Sequence, residues 1–310
     1  MAFAAVFPGQ GSQAVGMLHD LAAIFPVVQA TFAEASEALK VDLWELAQNG
    51  PEQELARTEI TQPLILTAAI SAWRVWRSNG GAEPLLAAGH SLGEYSALVS
   101  AGVLTFVDAV RLVSDRGRFM QDAVPIGEGA MAAILGLGEE ELNKVCFQAT
   151  RGTEIATCAN FNAPGQIVIA GHVSAVERAS NAAREVGARR VIPLPVSAPF
   201  HCDLMQPAAE RLRETLLKCP FSPPVFPVVN NVEVVSESEP GAIKGALYRQ
   251  VVRPVQWVRT VEYFVEQGVD AVVEFGPGKV LSGMCKRTHK PLVCRGVYDA
   301  ESLQEALDIV

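Results

Sequence analysis

The sequence predicts an α/β protein, a parallel sheet covered by helices and interrupted by a smaller unit of order βαββαβ. Three observations lead there. Short apolar runs that end in glycine or meet a Pro-Gly pair recur along the chain, as buried strands running into loops do. Long stretches with helical spacing separate them. Between residues 126 and 196 the rhythm changes, and strand–helix alternation resumes afterwards.

Taken in order, residues 2–7 form the first apolar run, closed by Pro8-Gly9, and residues 85–88 form a second that ends at Gly89. Thr105 with Asp108 three positions on is a helix start, and helical spacing continues to Asp122. The inserted unit reads as strand 130–135, helix 139–149, strands 155–159 and 166–170, helix 174–186 and strand 190–194, the ferredoxin-like order. The Asn160-Phe161-Asn162-Ala163-Pro164-Gly165-Gln166 segment reads as a polar hairpin turn. A last strand at 271–275 precedes Gly276-Pro277-Gly278. Residues 1–125 and 197–310 therefore make a large domain and residues 126–196 a small one, with a cleft between them as the expected site.

Composition narrows the function classes. The 310 residues are 49% hydrophobic, enough for a large core, and the formal net charge is -9, which disfavours general attraction to nucleic acid or an anionic membrane. No apolar run reaches the roughly 18 residues of a membrane span, and the N-terminus lacks a signal-peptide pattern. A cytoplasmic protein, monomeric, is expected. Cys146, Cys158, Cys202, Cys219, Cys285 and Cys294 are scattered without metal or redox spacing, so reduced thiols and neither metal nor prosthetic cofactor are expected.

Gly89-His90-Ser91-Leu92-Gly93 fits G-x-S-x-G, with an apolar strand before it and a helical stretch beginning near Glu94 after it. Small residues on both sides let the chain turn sharply and expose the serine hydroxyl at a helix N-terminus, where negative charge is favoured. The Leu92 N–H is then a natural oxyanion donor. A glycine-bounded turn with a capping serine is the plainer alternative, and the flanking elements favour the nucleophile. Serine needs a base, usually histidine. His90 adjoins the serine and should point away from its hydroxyl; His19, His172 and His289 sit in polar or terminal contexts. His201, in Ser197-Ala198-Pro199-Phe200-His201-Cys202, lies in a loop that could fix an imidazole, although a lone loop histidine is more often a surface group.

In the helix from Thr105, the residues Ala109, Leu112, Val113, Phe119 and Met120 share one face, and Arg116 lies on it. Arg111, Asp115, Arg118 and Asp122 form a charged stripe on the other. A guanidinium facing inward needs an anion, which a structural carboxylate or the carboxylate of an acyl substrate could supply.

Together, Phe7-Pro8-Gly9-Gln10-Gly11-Ser12-Gln13, Gly89-His90-Ser91-Leu92-Gly93-Glu94, Arg116-Gly117, Pro199-Phe200-His201 and Glu274-Phe275-Gly276-Pro277-Gly278-Lys279 resemble the malonyl-CoA:acyl-carrier-protein transacylases in order and spacing, over nearly the whole chain. The resemblance implies an α/β-hydrolase-like large domain carrying the ferredoxin-like small one. It implies Ser91 as nucleophile, His201 as base, Arg116 as clamp for the malonyl carboxylate, and the N–H groups of Gln10 and Leu92 as the oxyanion hole. In that family a main-chain carbonyl near a glutamine orients the histidine, and Gln250 matches that position. Asn160 and Asn162 match a segment facing the cleft, and Phe200 before the histidine matches malonyl-selective members. Cys202 departs from the serine that many relatives carry there. The implied activity is ping-pong transfer of malonyl from malonyl-CoA to the phosphopantetheine thiol of acyl carrier protein, through a malonyl-serine, for fatty-acid or polyketide synthesis.

Competing readings are a serine hydrolase with the same elbow and a dinucleotide-binding protein, since Gly9-Gln10-Gly11-Ser12-Gln13-Ala14 fits a relaxed G-x-G-x-x-A. Pro8 and the lack of an acidic residue at a second strand end disfavour the latter. Residues 276–298 hold Lys279, Lys286, Arg287, Lys290 and Arg295 without Asp or Glu, and are the expected dock for an acidic carrier; a solvated surface is the alternative.

Overall fold

The computed structural model describes residues 1–196 and 198–310; Ser197, where the second part of the large domain is expected to begin, lies outside them. Among the described residues, nine strands form two sheets. They are β1 (Phe3–Phe7), β2 (Leu86–Gly89), β3 (Gly129–Leu135), β4 (Ala156–Ala163), β5 (Gln166–His172), β6 (Arg190–Pro193), β7 (Val228–Val229), β8 (Ala271–Phe275) and β9 (Val293–Val297). The first sheet has the order β7-β2-β1-β8-β9, and every pair in it is parallel. The second has the order β4-β5-β3-β6 with antiparallel pairs.

The period-two alternation of β1 explains why its five residues are all buried. Phe3, Ala5 and Phe7 face one apolar cluster, while Ala4 and Val6 face another on the opposite side. On the first side Phe7, Trp73 and Phe275 interlock, with ring centroids 5.1 to 6.2 Å apart, and Trp76 meets Phe275 at 5.6 Å. Such pairs contribute about 0.5–1.5 kcal/mol each beyond their burial. Trp257 and Phe264 anchor the other side. This rigid sandwich ends at Phe7 and Gly89, paired in register, so the loops after β1 and β2 emerge side by side.

The antiparallel sheet packs the helices Glu139–Ala149 and Val173–Glu185 over a separate apolar cluster. One expectation fails here. The segment read as an asparagine-rich turn is strand: β4 continues through Asn160, Phe161 and Asn162 to Ala163, and only Pro164-Gly165 reverses the chain. Asparagine disfavours strands, but β4 is paired on both edges. Against β5 it runs with two register shifts, and on its other side Phe161 N–H donates to the Val255 carbonyl while Val255 N–H donates to Ala159, both at 2.9 Å. Those bonds tie the antiparallel sheet to the segment between the helices Pro240–Val252 and Trp257–Glu266.

The helix Phe106–Asp122 follows its pattern closely. Thr105 caps it by accepting the Asp108 N–H at 3.1 Å, a contact of about 1 kcal/mol. Ala109, Leu112, Val113, Arg116, Phe119 and Met120 are buried, whereas the opposite stripe is paired at the surface, Arg118 with Asp115 and Asp122 with Arg211. All six cysteines are free. No helix among the described residues is long and apolar enough to cross a membrane, and none of their His, Cys, Asp and Glu side chains cluster as metal ligands would.

Candidate active site

The turn from β2 into the helix Gly93–Ser100 is tight enough to exclude any Cβ at its two glycines. A Cβ at Gly89 would stand 1.8 Å from the Gly93 carbonyl carbon, and one at Gly93 would stand 1.9 Å from the Phe7 carbonyl oxygen. Between them Ser91 has φ 52°, the left-handed region that costs a non-glycine residue about 1–3 kcal/mol. The turn therefore presents the Ser91 hydroxyl at the head of a helix.

His201 meets it from the loop after β6. Its Nε2 lies 2.7 Å from Ser91 Oγ, and its Nδ1 lies 2.8 Å from the Gln250 carbonyl oxygen. A carbonyl can only accept, so Nδ1 carries the proton and Nε2 is left bare to accept the serine proton. Burial, reinforced by the charge of Arg116, lowers the His201 pKa to about 3, so the imidazole is neutral across the physiological range and its Nε2 lone pair is free to accept a proton. His90 points elsewhere: its Nε2 bonds Asn162 Oδ1 at 2.7 Å, and its ring lies 5.7 Å from that of Trp257.

Arg116 is 1% exposed and forms no salt bridge among the described residues. Its partners are neutral: Nη1 donates to Gln62 Oε1 at 2.8 Å, and Nη2 donates to Gln250 Oε1 at 2.9 Å and to Ser91 Oγ at 3.1 Å. Its Nε has no hydrogen-bond partner among the described residues, and its Cζ sits 5.5 Å from the centre of the Tyr95 ring. Burial pulls its pKa down, with Tyr95 and Glu94 opposing. A buried cation beside a nucleophile, held by amides, is a receptor for an anion.

Ser91, His201 and Arg116 line a cavity of ≈ 110 Å³ with Gln10, Gln62, His90, Leu92, Met120, Met131, Asn160, Leu194, Val196 and Phe200. Gln10 and Leu92 thus stand where the sequence expects them, from the loops after β1 and β2. Asn160 and Asn162 part company. Asn160 lines the cavity, whereas Asn162 holds the His90 ring and does not.

Three residues of the site carried no role in the sequence reading. Asn231 spans the elbow, accepting the Ser91 N–H and donating to the Gly89 carbonyl, both at 2.6 Å. Glu94, 2% exposed, accepts from Gln250 Nε2 at 2.8 Å and from the Asn231 N–H at 3.0 Å, and burial raises its pKa to about 7. Gln250 Nε2 also donates to the Ser91 carbonyl at 2.9 Å, so this one side chain joins nucleophile, cation and carboxylate. Gln62 had a signal of the Arg116 kind, a polar group on a helix face with Ile65, Leu66 and Ala69. Nothing local marks Asn231.

Residues 5–304 match the acyl transferase domain family. The chain is 54% identical to malonyl CoA-acyl carrier protein transacylase of Escherichia coli K12 over 99% of both chains, and 45% identical to that of Bacillus subtilis over 97% of this chain and 95% of the relative. Among solved structures, it resembles a malonyl-transacylase in complex with its type II polyketide acyl-carrier protein, with a TM-score of 0.98, 54% identity and 99% of each chain covered. The malonyl CoA-acyl carrier protein transacylase of Coxiella burnetii also superposes with a TM-score of 0.98, at 47% identity over 99% of this chain and 97% of that one.

Proposed function

The chain belongs to the malonyl-CoA:acyl-carrier-protein transacylase family, and from that premise we propose how its residues carry a malonyl group from coenzyme A to acyl carrier protein. Ser91 Oγ attacks the thioester carbonyl of malonyl-CoA as His201 Nε2 takes its proton. The N–H groups of Gln10 and Leu92 hold the oxyanion, and Arg116 holds the malonyl carboxylate. The tetrahedral intermediate collapses to a malonyl-serine, and the proton on His201 goes to the departing thiolate of coenzyme A. The phosphopantetheine thiol of the carrier then enters, gives its proton to His201 and takes the acyl group, which restores the Ser91 hydroxyl. The cycle is ping-pong, and its product is an extender unit for fatty-acid or polyketide synthesis.

The observation that carries this reading is the distance from Arg116 Nη2 to Ser91 Oγ, 3.1 Å, in a cation without a carboxylate partner among the described residues. A hydrolase for uncharged esters has no use for such a group. Phe200, buried at the cavity wall beside His201, narrows the space for a branch on the acyl α-carbon. His201 needs no carboxylate, because the Gln250 carbonyl fixes its tautomer.

We read residues 1–125 and 197–310 as an α/β-hydrolase-like large domain and residues 126–196 as a ferredoxin-like insertion; the strand orders of the two sheets support this. We place the protein in the cytoplasm as a monomer without prosthetic group, bound neither to membrane nor to nucleic acid. The carrier docks on the basic stretch near Lys286, Arg287 and Lys290, which are exposed, whereas Lys279 lies over the Tyr298 ring and Arg295 pairs with Glu305. A groove of ≈ 480 Å³ lined by Arg189, Arg190 and Arg287 adjoins it and suits an acidic partner.

The test is acid quench of the protein with malonyl-CoA, intact mass and peptide mapping, repeated with Ser91→Ala. A malonyl adduct on Ser91, absent in the variant, supports the reading. An adduct with acetyl-CoA or a general ester probe but none with malonyl-CoA would keep the serine enzyme and overturn the substrate.

A further inference from the structure

We propose that Asn231 is a positioning residue for the nucleophile, its side-chain amide supplying the strand peptide that the sheet lacks beside the elbow. The proposal rests on the reading of Ser91 as the acylated residue. β2 pairs with β7 in parallel through Ala88 and Val229, and β7 ends there. In a parallel ladder one residue donates its N–H to a carbonyl on the next strand and accepts, through its own carbonyl, the N–H two residues further along. Asn231 reproduces that pattern with its side chain. Nδ2 donates to the Gly89 carbonyl, Oδ1 accepts the Ser91 N–H, and His90 lies between the two anchor points.

The residue is built in rather than resting there. Asn231 is fully buried, its backbone N–H donates to Glu94 Oε2 at 3.0 Å, and its carbonyl accepts the Gln256 N–H at 2.9 Å. Ser91 is held at φ 52°, and a strained conformation persists only where its surroundings enforce it. Without the amide, the Gly89 carbonyl and the Ser91 N–H lose these partners and the turn can relax, which carries Oγ away from His201 Nε2. A displacement of about 1 Å at a reacting atom slows chemistry by roughly 100-fold.

Rapid-quench measurement of Ser91 acylation, with malonyl-CoA and acetyl-CoA, tests this on wild type, Asn231→Ala and Asn231→Asp, with melting curves beside. Wild type that forms no Ser91 adduct would sink the parent reading, whatever the variants do. With wild type active, Asn231→Ala acylates roughly 30- to 100-fold more slowly with both acyl groups, and KM for malonyl-CoA stays within about threefold. In Asn231→Asp, the protonated acid has one O–H donor and one carbonyl acceptor and restores both bonds, whereas the carboxylate has no donor and repels the Gly89 oxygen. Its neighbours are the Glu94 carboxyl, which takes the residue 231 N–H, and, through Ser91, Arg116 and His201. Acylation by Asn231→Asp therefore falls as pH rises, on a limb that wild type lacks, at unchanged fold. A folded Asn231→Ala within about threefold of wild type overturns the proposal. If that variant does not fold, the aspartate variant decides, and a pH profile parallel to wild type overturns it.

Discussion

The buried seam around Ser91 and the basic rim near Lys286 both contain cations, yet they differ in what the fold does with them. At the seam, Arg116, Gln250, Glu94, Asn231 and His201 are each buried and joined by hydrogen bonds of 2.6 to 3.1 Å, so every orientation is constrained. At the rim, Lys286, Arg287 and Lys290 are exposed, and Arg287 Nη2 donates to Gln166 Oε1 at 2.9 Å. Burial makes each polar group answerable to a partner. Solvent exposure releases it from that demand, so the rim can act only through summed charge.

That contrast can be broken by mutation, beginning with its strongest claim. His201→Ala should slow malonyl-serine formation by about 10²–10⁴-fold in rapid-quench mass spectrometry, because it removes the only base in contact with Ser91 among the described residues. Arg116→Ala should lower kcat/KM for malonyl-CoA by about 100-fold relative to acetyl-CoA; equal losses for both would end its role as a carboxylate clamp. The rim should respond differently. Lys286→Glu with Arg287→Glu should raise KM for the carrier roughly tenfold, lessened by salt, and leave KM for malonyl-CoA unchanged. Equal effects on both substrates would move the docking surface elsewhere.

The smallest effect concerns stability. Burial raises the Glu94 pKa from 4.5 to about 7, so the folded carboxyl keeps its proton where the unfolded one has lost it. Stability from this group is present below 4.5 and is lost as pH rises toward 7. Glu94→Gln escapes that loss, so its melting advantage over wild type should widen from about pH 5 to about pH 8, by on the order of 1–3 kcal/mol. A difference that stays flat with pH would mean that the carboxyl is ionised throughout.

The two regions also differ in how far they could be read beforehand. Ser91 was visible because strand, glycine, serine and glycine are a local necessity of the turn. Arg116 was visible because one charge broke an apolar helix face. His201 had no local signature, and only the resemblance selected it among five histidines. Asn160 and Asn162 looked like turn residues because their strand is stabilised by Val255, nearly a hundred positions away.

By itself, then, the sequence determined what short-range pattern can encode: the continuous apolar run of β1, the helix with its inward arginine, the order of elements and the elbow. Tertiary structure alone decided which distant groups complete the site. The Gln250 carbonyl fixes the His201 tautomer, Glu94 orients the Gln250 amide, and Asn231 closes the ladder at Ser91. Periodicity reports which face of an element is buried. Which buried donor meets which acceptor depends on sheets and helices brought together across more than a hundred residues, and no local pattern carries that information.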